Sequence, residues 1–320
     1  MNLGWLGSEQ PSMGDRLGAH SNTLAGVAMV TSRTFRARFE TLLIYCGLGL
    51  FALIAILPFL NTIARSFSAE APIIRGEVYV WPVSPTLDAY RRLFLGGVFW
   101  RAYWNSFIIT AVGTAVQMVM TLLAAYPLSR SRLPGRGILM LLVIVQMIFP
   151  PGLIPFYLTV RSVGLLDTYW AVILPYAINT FNMIVLISYF RSLPAEMEEA
   201  AVIDGANDLQ ILWHVMLPLC MPVIMTLMLF YIVEDWNLFL PAIFFINDGS
   251  KQPIQVILRD LIWSLQLQTQ TASADQFQRM AGVEALKAAS VLMAAIPMLV
   301  FYPFIQRYFI RGIMLGAVKA

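Results

Sequence analysis

Chemically capable side chains gather in one segment of this chain, residues 191–218, which holds five of its eighteen acidic residues: Glu196, Glu198, Glu199, Asp204 and Asp208. The first three fall where a helix would begin, and carboxylates there suit the positive end of the helix dipole. His214, one of only two histidines, has no histidine partner in the apolar stretches and reads as a surface or interface residue rather than a general base. A second, dispersed set lies inside apolar stretches: Gln117, Gln146, Tyr176, Asn179, Asn182 and Tyr231. Such groups either pack helices against one another or line a path for a polar solute. Glu234 and Asp235 join this set and are expected near the outer end of a span, at the membrane interface, with a cavity or a partner as the alternative setting.

Several kinds of chemistry are excluded by what the chain lacks. It has no HExxH, no GxSxG and no acidic pair midway along a span, so an intramembrane enzyme would have no machinery. Without a GxxxxGK[ST] phosphate loop, the chain does not itself hydrolyse ATP in the usual manner. Cys46 and Cys220 each sit in an apolar stretch with no CxxC pattern and no neighbouring histidine, which points to buried free thiols and no metal site. A net charge of +3 with scattered basic residues leaves no nucleic-acid footprint.

The elements that must position these groups are membrane helices. Of 320 residues 59% are hydrophobic and 12% charged, too apolar for an ordinary soluble domain. Apolar runs long enough for a helix to cross the hydrocarbon core occur six times, near 41–62, 105–128, 137–160, 168–190, 217–240 and 284–305. Prolines inside them (Pro150, Pro151, Pro155, Pro175, Pro222 and Pro297) are tolerated in membranes, and Phe149-Pro150-Pro151-Gly152 is expected to kink or interrupt the third. Three short basic sets decide orientation: Arg33, Arg36 and Arg38; Arg130, Arg132 and Arg136; Arg307, Arg311 and Lys319. With alternating spans they share one side, so both termini are expected in the cytoplasm.

That topology leaves 63–104, 161–167 and 241–283 outside, with 253–263 as an amphipathic helix lying on the bilayer or against a partner. Residues 1–30 lack the basic start of a signal peptide and hold only a weak apolar run, Leu24 to Val30, so 1–40 reads as a flexible cytoplasmic tail. The domain then runs 41–306, with 307–320 as a cytoplasmic C-terminal tail.

Within 191–218, Ser192 is placed to cap a helix starting near Pro194 and running to about Asp204. Gly205 allows a positive φ for a sharp turn, and a second amphipathic stretch, 209–215, leads into the fifth span. The product is a helix–turn–helix elbow in the cytoplasm. Periodicity alone would also describe a plain amphipathic linker.

The residue string narrows this. Glu199-Ala200-Ala201, three residues, Gly205, nine residues, then Val215-Met216-Leu217-Pro218 resembles the EAA motif of ABC-importer permeases, with Val where that family often has Ile. The resemblance covers the chain from about residue 40 to its end. Asn105-Ser106-Phe107, Ala124-Ala125-Tyr126-Pro127-Leu128-Ser129-Arg130, Trp236-Asn237 and Gln306-Arg307-Tyr308-Phe309, with Gly312, Gly316 and Lys319, are similar to carbohydrate-uptake permeases of the maltose-transporter type. Trp81-Pro82-Val83, Pro85-Thr86-Leu87 and Gly152-Leu153-Ile154-Pro155 resemble a subgroup for complex, often uronate-containing saccharides, of which alginate, aldouronate and pectin-derived oligosaccharides are examples.

The resemblance implies an all-α integral membrane fold of the type I ABC importer class, six transmembrane helices, and a multi-pass place in the bacterial cytoplasmic membrane. It implies a non-catalytic subunit that binds no cofactor and pairs with a second homologous permease. Two copies of a cytoplasmic ATPase would use ATP and Mg, and an extracytoplasmic solute-binding protein would deliver a saccharide. ATPase coupling then falls to Glu199, Ala200, Ala201, Asp204, Gly205, Ala206, Leu217 and Pro218. A self-sufficient secondary transporter or channel is the rival reading. It predicts inverted repeats and a midplane carboxylate, neither of which stands out in the sequence.

Overall fold

The structure, a computed structural model, describes the backbone of residues 13–271 and 283–317 and the side chains of 38–264, 283–301 and 303. Among the described residues every regular element is helical, apart from an isolated antiparallel bridge between Ser68 and Pro85. The chain divides into two compact units, Met1–Asn61 and Thr62–Ala320. The first contains most of α1 (Met13–Ser66), whose helical backbone therefore begins well before the expected apolar run 41–62. Apolar side chains of α1 such as Phe39, Tyr45, Phe51 and Phe59 are exposed, and so is Cys46, contrary to the expectation of a buried thiol. A helix apolar on all sides suits lipid as its solvent.

The second unit continues with α2 (Glu70–Ile74), α3 (Asp88–Leu95) and the long α4 (Val98–Ser129). Then come α5 (Arg136–Ile148), α6 (Leu153–Ser162), α7 (Trp170–Ile173) with a 3-10 turn over Leu174–Tyr176, and α8 (Thr180–Ser192). The expected elbow comprises α9 (Ala195–Ile203), α10 (Asp208–Ile211), a π-turn over Leu212–Met216 and α11 (Leu217–Leu219). Next follow α12 (Met221–Trp236), α13 (Leu240–Phe245), α14 (Ile254–Thr271) and α15 (Val283–Ala317).

Among the described residues, three uninterrupted helical segments are long and apolar enough to cross a membrane: Arg38–Ser66, Val98–Ser129 and Val283–Phe301. The other three expected spans are bent pairs, so the count reaches six only if each pair is one span. α5 and α6 meet at 117°, at the Phe149–Gly152 break read from the sequence. Pro150 and Pro151 have no N–H to continue the ladder, and Phe149 N–H, donating to Val145 O at 2.8 Å, ends it. The fourth run bends by 43° between Tyr176 and Thr180, where the Asn179 side chain caps α8 by accepting from Asn182 N–H at 3.2 Å. The fifth turns by 86° between Leu219 and Met221, and α12 ends at Trp236, short of the expected residue 240.

α4 is the hub of this unit: α12 and α8 pack on it, and α15 packs on α12. One core cluster joins Leu122, Tyr126, Leu186, Phe190, Met216, Leu227 and Tyr231 beside the elbow, with Cys220 buried in it as expected. Two others hold the opposite half, one around Phe99, Trp236, Ile254 and Ala289, one around Ile109, Val172, Phe245 and Val256. The amphipathic α14 buries Ile254, Val256 and Leu258 within these clusters and packs on α4 and α15. The first apolar residues of this helix are thus covered by its own chain, while Trp263 further along is exposed. Glu70 closes the N-terminus of α15, its carboxylate accepting from Glu284 N–H at 3.0 Å and Ala285 N–H at 3.2 Å.

Candidate functional site

The elbow is built by local signals. Ser192 lies inside α8, and its hydroxyl donates to Tyr189 O at 2.7 Å, so it does not cap α9 as expected; the N-cap of α9 is Pro194, which offers no side-chain cap. At the far end, Ala206 N–H donates to Ala201 O and Gly205 N–H to Val202 O, each at 3.0 Å, with Gly205 at φ +82°. This is the paired closure that ends a helix on a left-handed residue, a conformation glycine adopts without a Cβ penalty. Asn207 and Gln210 then form a reciprocal capping box, each side chain accepting from the other's backbone N–H at 2.9 Å. The Asn207-x-x-Gln210 spacing is a sequence signal that could have placed the start of α10, ahead of the expected stretch 209–215.

The elbow is braced to the end of α4 by charges far away in sequence. Glu198 pairs with Arg130 and, at 3.4 Å, with Arg132, which also reaches Asp208 at 2.5 Å. The Arg130 guanidinium lies 4.5 Å from the centre of the Tyr126 ring. Of the residues singled out for coupling, Glu199, Ala200, Asp204, Gly205 and Pro218 are exposed, and Ala201, Ala206 and Leu217 are half-buried. Sequence reasoning missed the apolar side chains presented beside them: Met197, Val202, Leu209, Trp213, and Ile203 at 84% exposed.

Polar residues of the apolar spans divide into distinct groups. Gln117, Tyr231 and Asp235 come together in a seam between α4 and α12. Gln117 Nε2 donates to Asp235 Oδ1 at 3.0 Å, and the Thr114 hydroxyl donates to Oδ2 at 3.2 Å. One helical turn along, the Thr121 and Tyr231 hydroxyls share a 2.6 Å hydrogen bond. Asp235 is only 5% exposed: one residue from the end of α12, its carboxyl is buried between helices, against the middle of α4. Gly113 makes this possible, since a Cβ there would lie 2.7 Å from Asp235 Oδ2.

Glu234 is exposed, and Asn179 Nδ2 donates to it at 3.3 Å. Asn182 is buried on α8, while Tyr176 packs edge-on to Phe156 with ring centres 5.7 Å apart. Gln146 lies exposed on α5 and is not hydrogen-bonded to the others.

Between the helices, on the side away from the elbow, Asn105 bridges two segments. Its amide donates to Ser250 O at 2.9 Å and Gln252 O at 3.0 Å, and its carbonyl accepts from the Tyr169 hydroxyl at 2.8 Å. Asp167 Oδ1 accepts the N–H groups of Asn247 at 2.6 Å and Asp248 at 3.0 Å. These amides hold its carboxyl below the usual carboxylate range, with Lys251 adding to the effect. Among the described residues, no three His, Cys, Asp or Glu side chains gather to hold a metal ion.

A helical membrane domain with broken spans, a polar seam at its centre and a braced elbow at one end defines a membrane permease subunit. A family profile described as "Binding-protein-dependent transport system inner membrane component" matches residues 117–314. The chain is 43% identical over 286 residues to the polygalacturonan/rhamnogalacturonan transport system permease protein YtcP of Bacillus subtilis, covering 88% of this chain and 99% of that protein. It is 44% identical to protein LplC of the same bacterium over 273 residues, 85% of this chain and 92% of that one. A solved bacterial ABC transporter involved in the import of the acidic polysaccharide alginate superposes with a TM-score of 0.75 at 31% identity, over 94% of this chain and all of that one. The chain therefore belongs to the binding-protein-dependent transport system inner membrane components: it is an ABC transporter permease, a non-catalytic subunit whose ATPase is a separate chain.

Proposed function

We propose that this permease forms half of the translocation path of a bacterial importer for oligo- or polysaccharides, and that uronate-containing saccharides are its substrate class. The names of the relatives support this: YtcP serves polygalacturonan and rhamnogalacturonan, and the structural neighbour serves alginate. The second homologous permease, two copies of the ATPase and an extracytoplasmic binding protein complete the assembly. Six spans with both termini cytoplasmic, and tails over 1–40 and 307–320, put the elbow on the side where ATP is found. The outer segments 63–104 and 241–283 are then the docking surfaces for the binding protein.

The elbow 191–218 is the ATPase contact, and one observation carries that reading: an apolar, exposed face including Ile203, next to Glu199 and Ala200, is held rigidly to α4 by the Glu198 ion pairs. Exposed apolar side chains on a braced cytoplasmic turn suit a protein partner. Rigidity is what lets movement of an ATPase reach the spans. Along the path, Asn179 and Glu234 are the accessible polar pair, with Gln146, Tyr176 and Asn182 as further candidates. Gln117, Tyr231 and Asp235, bonded within the α4–α12 seam, act by holding these two helices in register.

The test is Gly205→Val in the reconstituted complex. A β-branched residue at φ +82° is strained by about 1–3 kcal/mol and would unwind the closure of α9. ATP hydrolysis should persist while saccharide uptake falls at least tenfold; unchanged uptake would remove the elbow from the coupling role.

A further inference from the structure

Beside the elbow, the short connection between α4 and α5, the end of α8 and the start of α9 line an open cavity of about 750 Å³. Four guanidinium groups line it, from Arg130, Arg132, Arg136 and Arg191, against the carboxylates of Glu198 and Glu199. Glu198 is already engaged by Arg130 and Arg132. Arg136 and Arg191 have no carboxylate partner among the described residues. Instead both converge on one oxygen, Leu128 O in the last turn of α4, Arg136 Nε at 3.0 Å and Arg191 Nη2 at 3.2 Å. Two like charges held on one carbonyl repel each other, and an anion between them would relieve that repulsion.

A second observation is independent of that count. Arg130 Nε and Nη2 are buried and have no hydrogen-bond partner, although Nη1 of the same group is paired to Glu198. Buried guanidinium donors without an acceptor are costly. Donors approaching from several directions, as planar forks, match the three-dimensional spread of phosphoryl oxygens better than the two oxygens of one carboxylate.

We propose that this cavity is a binding site for a phosphoryl anion, held by Arg136 and Arg191, with Arg130 and Ser131 also in its lining. The site is distinct from the saccharide path and does not depend on the coupling role of the elbow. Phosphoryl groups reach such a position from two sources, the headgroup of an anionic phospholipid or a soluble phosphate, and lipid headgroups are attracted to basic residues beside a membrane helix.

The experiment uses the full-length permease within its co-purified complex, in nanodiscs of phosphatidylcholine alone or with phosphatidylglycerol. Retained lipid is read by native mass spectrometry and stability by thermal melting, with inorganic phosphate titrated into the phosphatidylcholine discs. Two variants are compared: Arg136→Gln/Arg191→Gln, which removes donors that also cap α4, and Ser131→Glu, which leaves those caps and brings a competing carboxylate.

Retention of phosphatidylglycerol by the wild type, reduced at least tenfold in both variants, supports the site with a lipid as its source. A rise in melting temperature with inorganic phosphate, abolished in both variants, supports it with a soluble anion. Equal responses of wild type and both variants, or no response of the wild type to either probe, would overturn it.

Discussion

Replacing Gly113 by alanine isolates the seam between α4 and α12. In the middle of a helix alanine is favoured over glycine by about 1 kcal/mol, so local propensity alone argues for the substitution. The structure argues the other way. The added methyl would lie 2.7 Å from Oδ2 and 3.2 Å from Cγ of Asp235, whose carboxyl is fixed by Thr114 and Gln117. Asp235 must swing away, and each hydrogen bond it loses is worth about 1–3 kcal/mol in a buried setting. One bond lost against the propensity gain leaves Gly113→Ala destabilised by about 1 kcal/mol, and two bonds lost by about 3 kcal/mol.

The clean measurement is a double-mutant cycle with Asp235→Ala, followed by detergent-titrated unfolding of the purified complex. Once Asp235 is gone the methyl has room, so Gly113→Ala should become neutral or stabilising, and the coupling energy should reach about 2 kcal/mol. A coupling below about 0.5 kcal/mol would refute the claim that Gly113 is kept small by Asp235.

Three further outcomes are expected. Glu198→Gln weakens the ties to Arg130 and Arg132, which should destabilise the elbow by about 2 kcal/mol and speed amide exchange over 195–212 while leaving α14 unchanged. Asn105→Ala strands the carbonyls of Ser250 and Gln252 and the Tyr169 hydroxyl, so the melting temperature should fall and proteolysis near 247–252 should rise, with an effect of about 2–3 kcal/mol. The depressed pKa of Asp167 sets a pH dependence. Its contribution is present above the unfolded value of about 4, and is lost as pH falls from there through the lower folded value. Exchange of the Asn247 and Asp248 amides, corrected for intrinsic rate, should therefore accelerate below about pH 4 in the wild type but be insensitive in Asp167→Asn.

What the sequence disclosed, and what it did not, follows from the range of the interactions. The apolar runs, the Pro150–Pro151 break and the turn at Gly205 were legible because each is decided within a few residues. The π-turn and the sharp bend before α12 were not, since Pro218 and Pro222 are equally compatible with a continuous span that is only kinked. The burial of Asp235 was not legible because its setting depends on Gly113, Thr114 and Gln117, more than a hundred residues away. The same holds for the pairing of Arg130 with Glu198 and for the burial of α14. Ser192 failed as a cap because α8 continues as far as Ser192 itself, whose hydroxyl bonds back to Tyr189 O. Periodicity says that a face is apolar; only packing says what it meets.

α12 is held at both ends, by the elbow cluster near Cys220 and by the seam at Asp235. A rod clamped at two points cannot slide along its neighbour without breaking one of them. The sharp bend at its start adds a constraint, because a push along the elbow arrives nearly at right angles to the α12 axis. A displacement of the elbow would therefore be delivered as torque, swinging α4 and α12 together like a single crank arm rather than driving one past the other.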